Sequence, residues 1–244
     1  MSHIEILTDL ELNSPVLIEG LPGVGLVGKL ATDHVVDELE MTYAGHLTCP
    51  GLPQVTVYEE GNHTLRPPVR IYADEDRDLL ALQSDVPVSP SSVSDFASCL
   101  TGWLSQHDVL PLYFSGLPMK VDKQRSLYGV TTGDEGLLDE HDVEPPGDDG
   151  VWSGPTGALL SRAGETGQDA LGFIVEADSN FPDPKSACAL INRVINPIAG
   201  VDVDDAELRD HAQEIRQEKA QFAQHMNQTE DDDSSRAETF EMFQ

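Results

Sequence analysis

Apolar runs of strand length alternate with helix-period segments along the first two hundred residues, and this alternation restricts the fold more than any other feature. Ile4–Leu7, Pro15–Glu19, Met41–Leu47, Gln54–Glu59, Val69–Ala73, Leu79–Gln83, Val109–Ser115, Leu127–Thr131 and Leu171–Glu176 read as strands. Glu60-Gly61-Asn62 has the composition of a hairpin turn between two of them. Val24–Leu39 reads as a glycine-rich turn leading into a helix, and Ser91–His107, Asp134–Glu140 and Gly157–Ala163 read as helices, with Val93, Phe96, Ala97, Leu100 and Leu104 on one face of Ser91–His107. Asp183 is placed to cap a further helix, with Pro184 at its first position and Pro197 ending it near Asn196. Strands interleaved with helices predict an α/β fold, with a mainly parallel or mixed sheet covered on both faces. No linker interrupts residues 1–203, so these are expected to form one domain.

The remaining residues change character. Asp204–Met226 reads as a charged helix in which Leu208, Ile215 and Phe222 recur every seven residues, flanked by Ala212 and Met226. So narrow a stripe suits docking on the domain or on a partner helix. Asn227–Glu238 is polar, charged and aperiodic, so residues 227–244 are expected to be a disordered acidic tail. Its end, Phe240-Glu241-Met242-Phe243-Gln244, turns apolar again, as a tethered anchor would.

The formal charge is −30, from 44 acidic and 14 basic side chains, and lysine occurs only at 29, 120, 123, 185 and 219. The acids are spread along the chain. Such a surface keeps a protein soluble where molar salt screens its self-repulsion, which points to a salt-adapted cytoplasm. Phosphate binding needs clustered Lys and Arg, so nucleic acid is not an expected partner. Cys49, Cys99 and Cys188 have neither the number nor the spacing of a disulfide scaffold or a structural zinc site, and read as thiols of a reducing cytosol. No apolar run approaches 18 residues and no signal-peptide pattern is present, so no membrane association is expected.

Gly20-Leu21-Pro22-Gly23-Val24-Gly25-Leu26-Val27-Gly28-Lys29-Leu30 is the sharpest local motif. Gly23, Gly25 and Gly28 spell GxGxxG between a strand and a helix, yet 41–50 lacks the acid that would hold a ribose. Gly23…Gly28-Lys29 also begins a P-loop, but Leu30 stands where a hydroxyl must meet Mg²⁺. The turn therefore reads as structural, a close backbone approach with at most a weak anion site, and Lys29 as dispensable. No GxSxG, HExxH or HxxxH pattern is present; His34 and His107 read as surface or capping residues. Asp85, Glu176, Asp178 and Asp183 fall at or beyond strand ends, which in so acidic a chain says little about catalysis. Neither a catalytic set, a cofactor nor a metal site is expected.

Four segments, in order, resemble the PAC2 family of proteasome assembly chaperones and their archaeal relatives: 18–28 (IEGLPGVGLVG), 127–133 (LYGVTTG), 154–160 (GPTGALL) and 175–187 (VEADSNFPDPKSA). The resemblance covers most of residues 1–226. It implies a three-layer αβα sandwich like that of the nucleoside phosphorylases without their active site. It also implies homo-oligomers, with or without a paralogue, and a role in assembling the 20S proteasome. Some archaeal members end in a hydrophobic–Tyr–any tripeptide that inserts between α-subunits of the proteasome ring. Met242-Phe243-Gln244 fits that pattern with Phe for Tyr. Older descriptions of the family as ATP-grasp enzymes imply the alternative, a nucleotide-binding enzyme; a tethered adaptor with another target is a third reading.

Overall fold

The computed structural model describes residues 3–49, 52–58, 61–119, 125–179 and 181–210. Its strands are β1 (His3–Ile6), β2 (Val16–Gly20), β3 (Thr42–Thr48), β4 (Val69–Asp74), β5 (Leu79–Ser84), β6 (Leu110–Pro118), β7 (Leu127–Thr131) and β8 (Leu171–Ala177). They form one open sheet in the order β1-β3-β4-β5-β2-β6-β8-β7. β5, β2, β6 and β8 run parallel; β1, β3 and β4 on one side and β7 on the other are antiparallel to their neighbours. The parallel strands carry the near-continuous apolar runs expected of strands buried on both faces.

Successive side chains leave a strand on opposite faces, so β2 sends Leu17 to one apolar core and Ile18 to the other. On the Ile18 side lie α1 (Val27–Glu38) and α5 (Pro184–Leu190), packed against each other. On the Leu17 side lie α2 (Val93–Gln106), which buries Phe96, Ala97, Leu100 and Leu104, and α4 (Gly154–Thr166). A short α3 (Gly136–Glu140) follows β7 and buries Leu138. The molecule is thus an αβα sandwich around a mixed sheet, the α/β architecture anticipated from the alternation.

Three local readings are corrected. Gln54–Glu59 forms no strand among the described residues; a single bridge pairs Val57 with Arg66. Pro53, Pro67 and Pro68 flank this excursion, and a residue without an N–H cannot extend a ladder. Pro197 does not end the helix begun at Pro184. A π-type turn, Ile191–Ile195, carries the chain into α6 (Asn196–Ala199), where Pro197 sits in the first turn and needs no donor; Gly200, at φ 67°, ends it. His34 is not a surface residue: it is buried, and its Nε2–H donates to the carbonyl of Asp204 at 2.6 Å. Residues 206–210 are helical and bury Leu208; the rest of the predicted charged helix and the tail lie outside the described residues.

Candidate functional site

Ligands of open α/β sheets bind at the carboxyl ends of the strands, where successive crossovers depart to opposite faces. Here β2 is followed by α1 on one face and β5 by α2 on the other, so that place is the carboxyl end of β2, where the glycine turn sits. Pairing of β2 with β6 stops at Ile18 and Leu112, and the two strands part beyond it.

Glu19 occupies the opening. It is 1 % exposed, and its Oε2 accepts the Phe114 N–H at 3.0 Å, standing in for the ladder bond lost as the strands diverge. Thr156, in the first turn of α4, donates its hydroxyl to Oε1 at 3.3 Å. Burial pushes the carboxyl up to about 8, against the opposing pull of hydrogen bonds from the Phe114 amide, Thr156 and the Leu21 amide. At neutral pH Glu19 is a neutral acid. Beside it the Tyr113 phenol is also raised, first by burial and then by the charge of Glu19. The indole N–H of Trp152 is buried without a hydrogen-bond partner.

The glycine turn fills the next layer. Gly25 has φ 64°, in the left-handed region, and a Cβ there would lie 3.0 Å from the Ala177 Cβ and 3.1 Å from the Asp178 carbonyl oxygen. Its own carbonyl accepts the Asp183 N–H at 2.8 Å. Gly28 lets α1 approach the sheet: a Cβ would stand 3.0 Å from the Glu19 carbonyl oxygen and 3.2 Å from the Phe114 Cβ. Gly23 has open space where its side chain would be. The turn where an anion would meet amide groups is thus packed against the chain following β8.

Lys29 does not face the turn. Its ammonium bonds Asp33 at 2.8 Å and Asp85 at 2.9 Å. Arg70 binds the other oxygen of Asp85 at 2.6 Å and, with Asp33, holds the Gln83 amide. Burial raises the Asp85 carboxyl, but hydrogen bonds and charge from Lys29 and Arg70 outweigh it and hold it below the carboxylate range. Burial likewise lowers Lys29, and Asp33 and Asp85 reverse the shift. Lys29 is therefore a structural cation rather than a dispensable side chain.

Asp183 closes the far side. It caps α5 by accepting the Ser186 N–H, takes the Asp178 N–H at 3.0 Å, and receives both oxygens' share of the Arg125 guanidinium at 2.8 and 3.1 Å. Glu176 accepts the Ser126 N–H at 3.0 Å. The carboxylates of Asp85, Glu176 and Asp183 are thus engaged within the fold, and Asp178 is held there through its backbone N–H. Among the described residues no group of His, Cys, Asp and Glu is arranged to hold a metal ion, and no helix is long and apolar enough to cross a membrane.

Glu19 and Arg125 carry much of this architecture, and neither was singled out from the sequence. Glu19 had a signal, a lone acid at the end of a buried apolar run. Arg125 had none, since its partner lies 58 residues away. Met242, Phe243 and Gln244 lie outside the described residues.

These motifs converge on one structural nucleus, and the PAC2 family model matches residues 17–223, which contain all of it. The chain belongs to the PAC2 family. Uncharacterized protein MJ0106 of Methanocaldococcus jannaschii is 29% identical over 216 residues, 88% of each chain. Among solved structures, this PAC2 chain resembles Pyrococcus furiosus PbaA, described as an archaeal homolog of proteasome-assembly chaperone. The TM-score is 0.77 at 23% identity, covering 99% of this chain and 100% of the other. It also resembles P. furiosus PbaB, described as an archaeal proteasome activator, with a TM-score of 0.74 at 22% identity, covering 91% and 98%.

Proposed function

We propose that this protein is an ATP-independent proteasome assembly chaperone or proteasome-binding protein that docks on the 20S α-ring, partly through Met242-Phe243-Gln244. The observation that carries the reading is whole-chain likeness to PbaA and PbaB, two folds whose descriptions both concern the proteasome. Independence from ATP is supported by what fills the nucleotide-like motif: Lys29 is held by Asp33 and Asp85, and the turn packs on Ala177 and Asp178. The partners are 20S α-subunits, met in a salt-rich cytoplasm by a homo-oligomer, with or without a paralogue.

A single tail gives weak attachment. Burying a Phe contributes about 1.5–3 kcal/mol, while ordering the tether opposes it. Several tails on one oligomer raise avidity without new contacts. The test is capture of α-rings and 20S particles by full-length protein, by Phe243→Ala and by a chain lacking 242–244, in matched high salt with and without ATP. Phe243→Ala should weaken capture by about tenfold, on the order of that transfer energy, and the truncation at least as much, with ATP indifferent. Undiminished capture by the truncated chain removes the tail as anchor. No capture by any form leaves an adaptor with another target.

A further inference from the structure

A groove of about 770 Å³ opens at the opposite, amino end of the sheet. One wall is the connection from β1 to β2, residues 7–15; the other is the end of α2 and the residues just after it. Its size is that of sites that hold small ligands or peptide side chains. Leu7, Leu10 and Leu12 line the connecting wall, and Trp103 faces them from α2. Leu7 is 52 % exposed, an apolar side chain with little of its own chain to cover it. The Trp103 ring stacks on His107 at 4.4 Å with an interplanar angle of 28°, and the His107 Nδ1–H donates to the Trp103 carbonyl at 2.7 Å, which fixes the pair as a flat platform.

The groove is formed in advance. Ser14 donates its hydroxyl to Asp108 at 2.7 Å, the Asn13 N–H donates to Asp78 at 2.7 Å, and the Glu11 N–H donates to Glu75 at 2.5 Å. The connecting wall is therefore tied to the body of the domain at three points, which lowers the ordering cost of binding.

Its charge has one sign. Asp9 and Asp108 line it, and no Lys or Arg does. Around it, residues 7–15, 37–41, 74–78, 107–109, 132–135 and 165–170 together hold fourteen Asp or Glu and a single Arg. Such a field attracts cations and repels phosphate and acidic peptides. An aromatic platform adds attraction for an ammonium or guanidinium group, and the leucines take an apolar side chain.

We infer that this groove binds a peptide segment in which Lys or Arg flanks apolar side chains. The site is separate from the glycine turn. Calorimetric titration of the full chain with three acetylated, amidated pentapeptides tests it: Lys-Leu-Phe-Leu-Arg, its charge-reversed form Glu-Leu-Phe-Leu-Glu, and the apolar-free form Lys-Ser-Ser-Ser-Arg. The first should bind one to one, at least tenfold more tightly than the other two. Combined Asp9→Lys and Asp108→Asn should weaken it about tenfold at roughly 0.2 M KCl and less at about 2 M, where screening is stronger. Leu7→Ser should weaken it severalfold at both salts, and circular dichroism verifies the fold of each variant. Absence of saturable binding, equal binding of the acidic peptide, or unchanged affinity in both groove variants overturns the assignment.

Discussion

Among the described residues at the carboxyl end of the sheet, the loops after β2, β3, β5, β6 and β8 hold three acidic and two basic residues in sequence; the amino-end segments named above hold fourteen and one. The difference extends to what the charges do. At the carboxyl end Asp85 sits between Lys29 and Arg70, Asp183 takes Arg125, and Glu19 is neutral within the protein. At the amino end Arg77 bonds Asp74 and Arg162 bonds Glu165, and most of the remaining acids face solvent among like charges. One end is held by packing and paired polar groups at short range. The other is governed by summed repulsion, which salt modulates. The glycine motif, with its nucleotide-site appearance, lies at the end where the chain itself fills the crevice, while the open groove lies at the end with no recognisable motif.

The sharpest way to break the packed end is Gly25→Val. The left-handed backbone costs a branched residue about 1–2 kcal/mol, and overpacking against Ala177 and Asp178 adds about 1–3 kcal/mol. Denaturant unfolding should show a loss of about 2–5 kcal/mol. A well-folded variant of unchanged midpoint would mean that the turn is loosely held, contrary to its contacts.

Glu19 gives the next largest effect, and it depends on pH. Its folded pKa of about 8 lies above the ordinary 4.5, so between these values the native state keeps a proton that the unfolded chain has lost. The stabilisation is complete below about 4.5 and is lost as pH rises through about 8. Within that window Glu19 contributes a slope approaching about 1.4 kcal/mol per pH unit, stability falling as pH rises. Glu19→Gln keeps an acceptor for the Phe114 N–H and removes the titration. Melts of both proteins across pH 5–9 in matched salt should diverge, the wild type losing stability relative to the variant toward high pH. Parallel profiles would show that Glu19 is ionised or solvated.

These residues also show how far the sequence can be read. Strands built from apolar runs, and α5 with its Asp183 cap, were legible because burial and capping are local signals. Gln54–Glu59 misled because its apolar alternation was real while the flanking prolines, which deny it a ladder, weighed more. Pro197 misled because its helix-breaking effect assumes an α-helical register, and the π-type turn changes that register. At the site, the glycine turn was visible as a motif. The partners that determine its role were not: Arg125, Thr156 and Arg70 lie far from it in sequence, and only tertiary packing brings them there.

The smallest effects concern single charges, and they separate the two ends by their response to salt. Asp76 is exposed and stands among Asp74, Glu75 and Asp78. Asp76→Asn removes one repulsive charge, so at about 0.1 M KCl it should stabilise by a few tenths of a kcal/mol, and at about 2 M, where the screening length is about 2 Å, the gain should vanish. Lys29→Ala acts in the opposite sense at the other end. Its ammonium is largely enclosed, and its loss leaves Asp33 without its cation and Asp85 with Arg70 alone, costing about 1–2 kcal/mol. Screening acts weakly on enclosed pairs, so that cost should persist at both salts. The wild-type melting midpoint should rise across the same range as the amino end is screened. If Lys29→Ala recovers at high salt while Asp76→Asn keeps its gain, the assignment of salt sensitivity to the amino end is reversed, and the Lys29–Asp85 pair must be open to solvent.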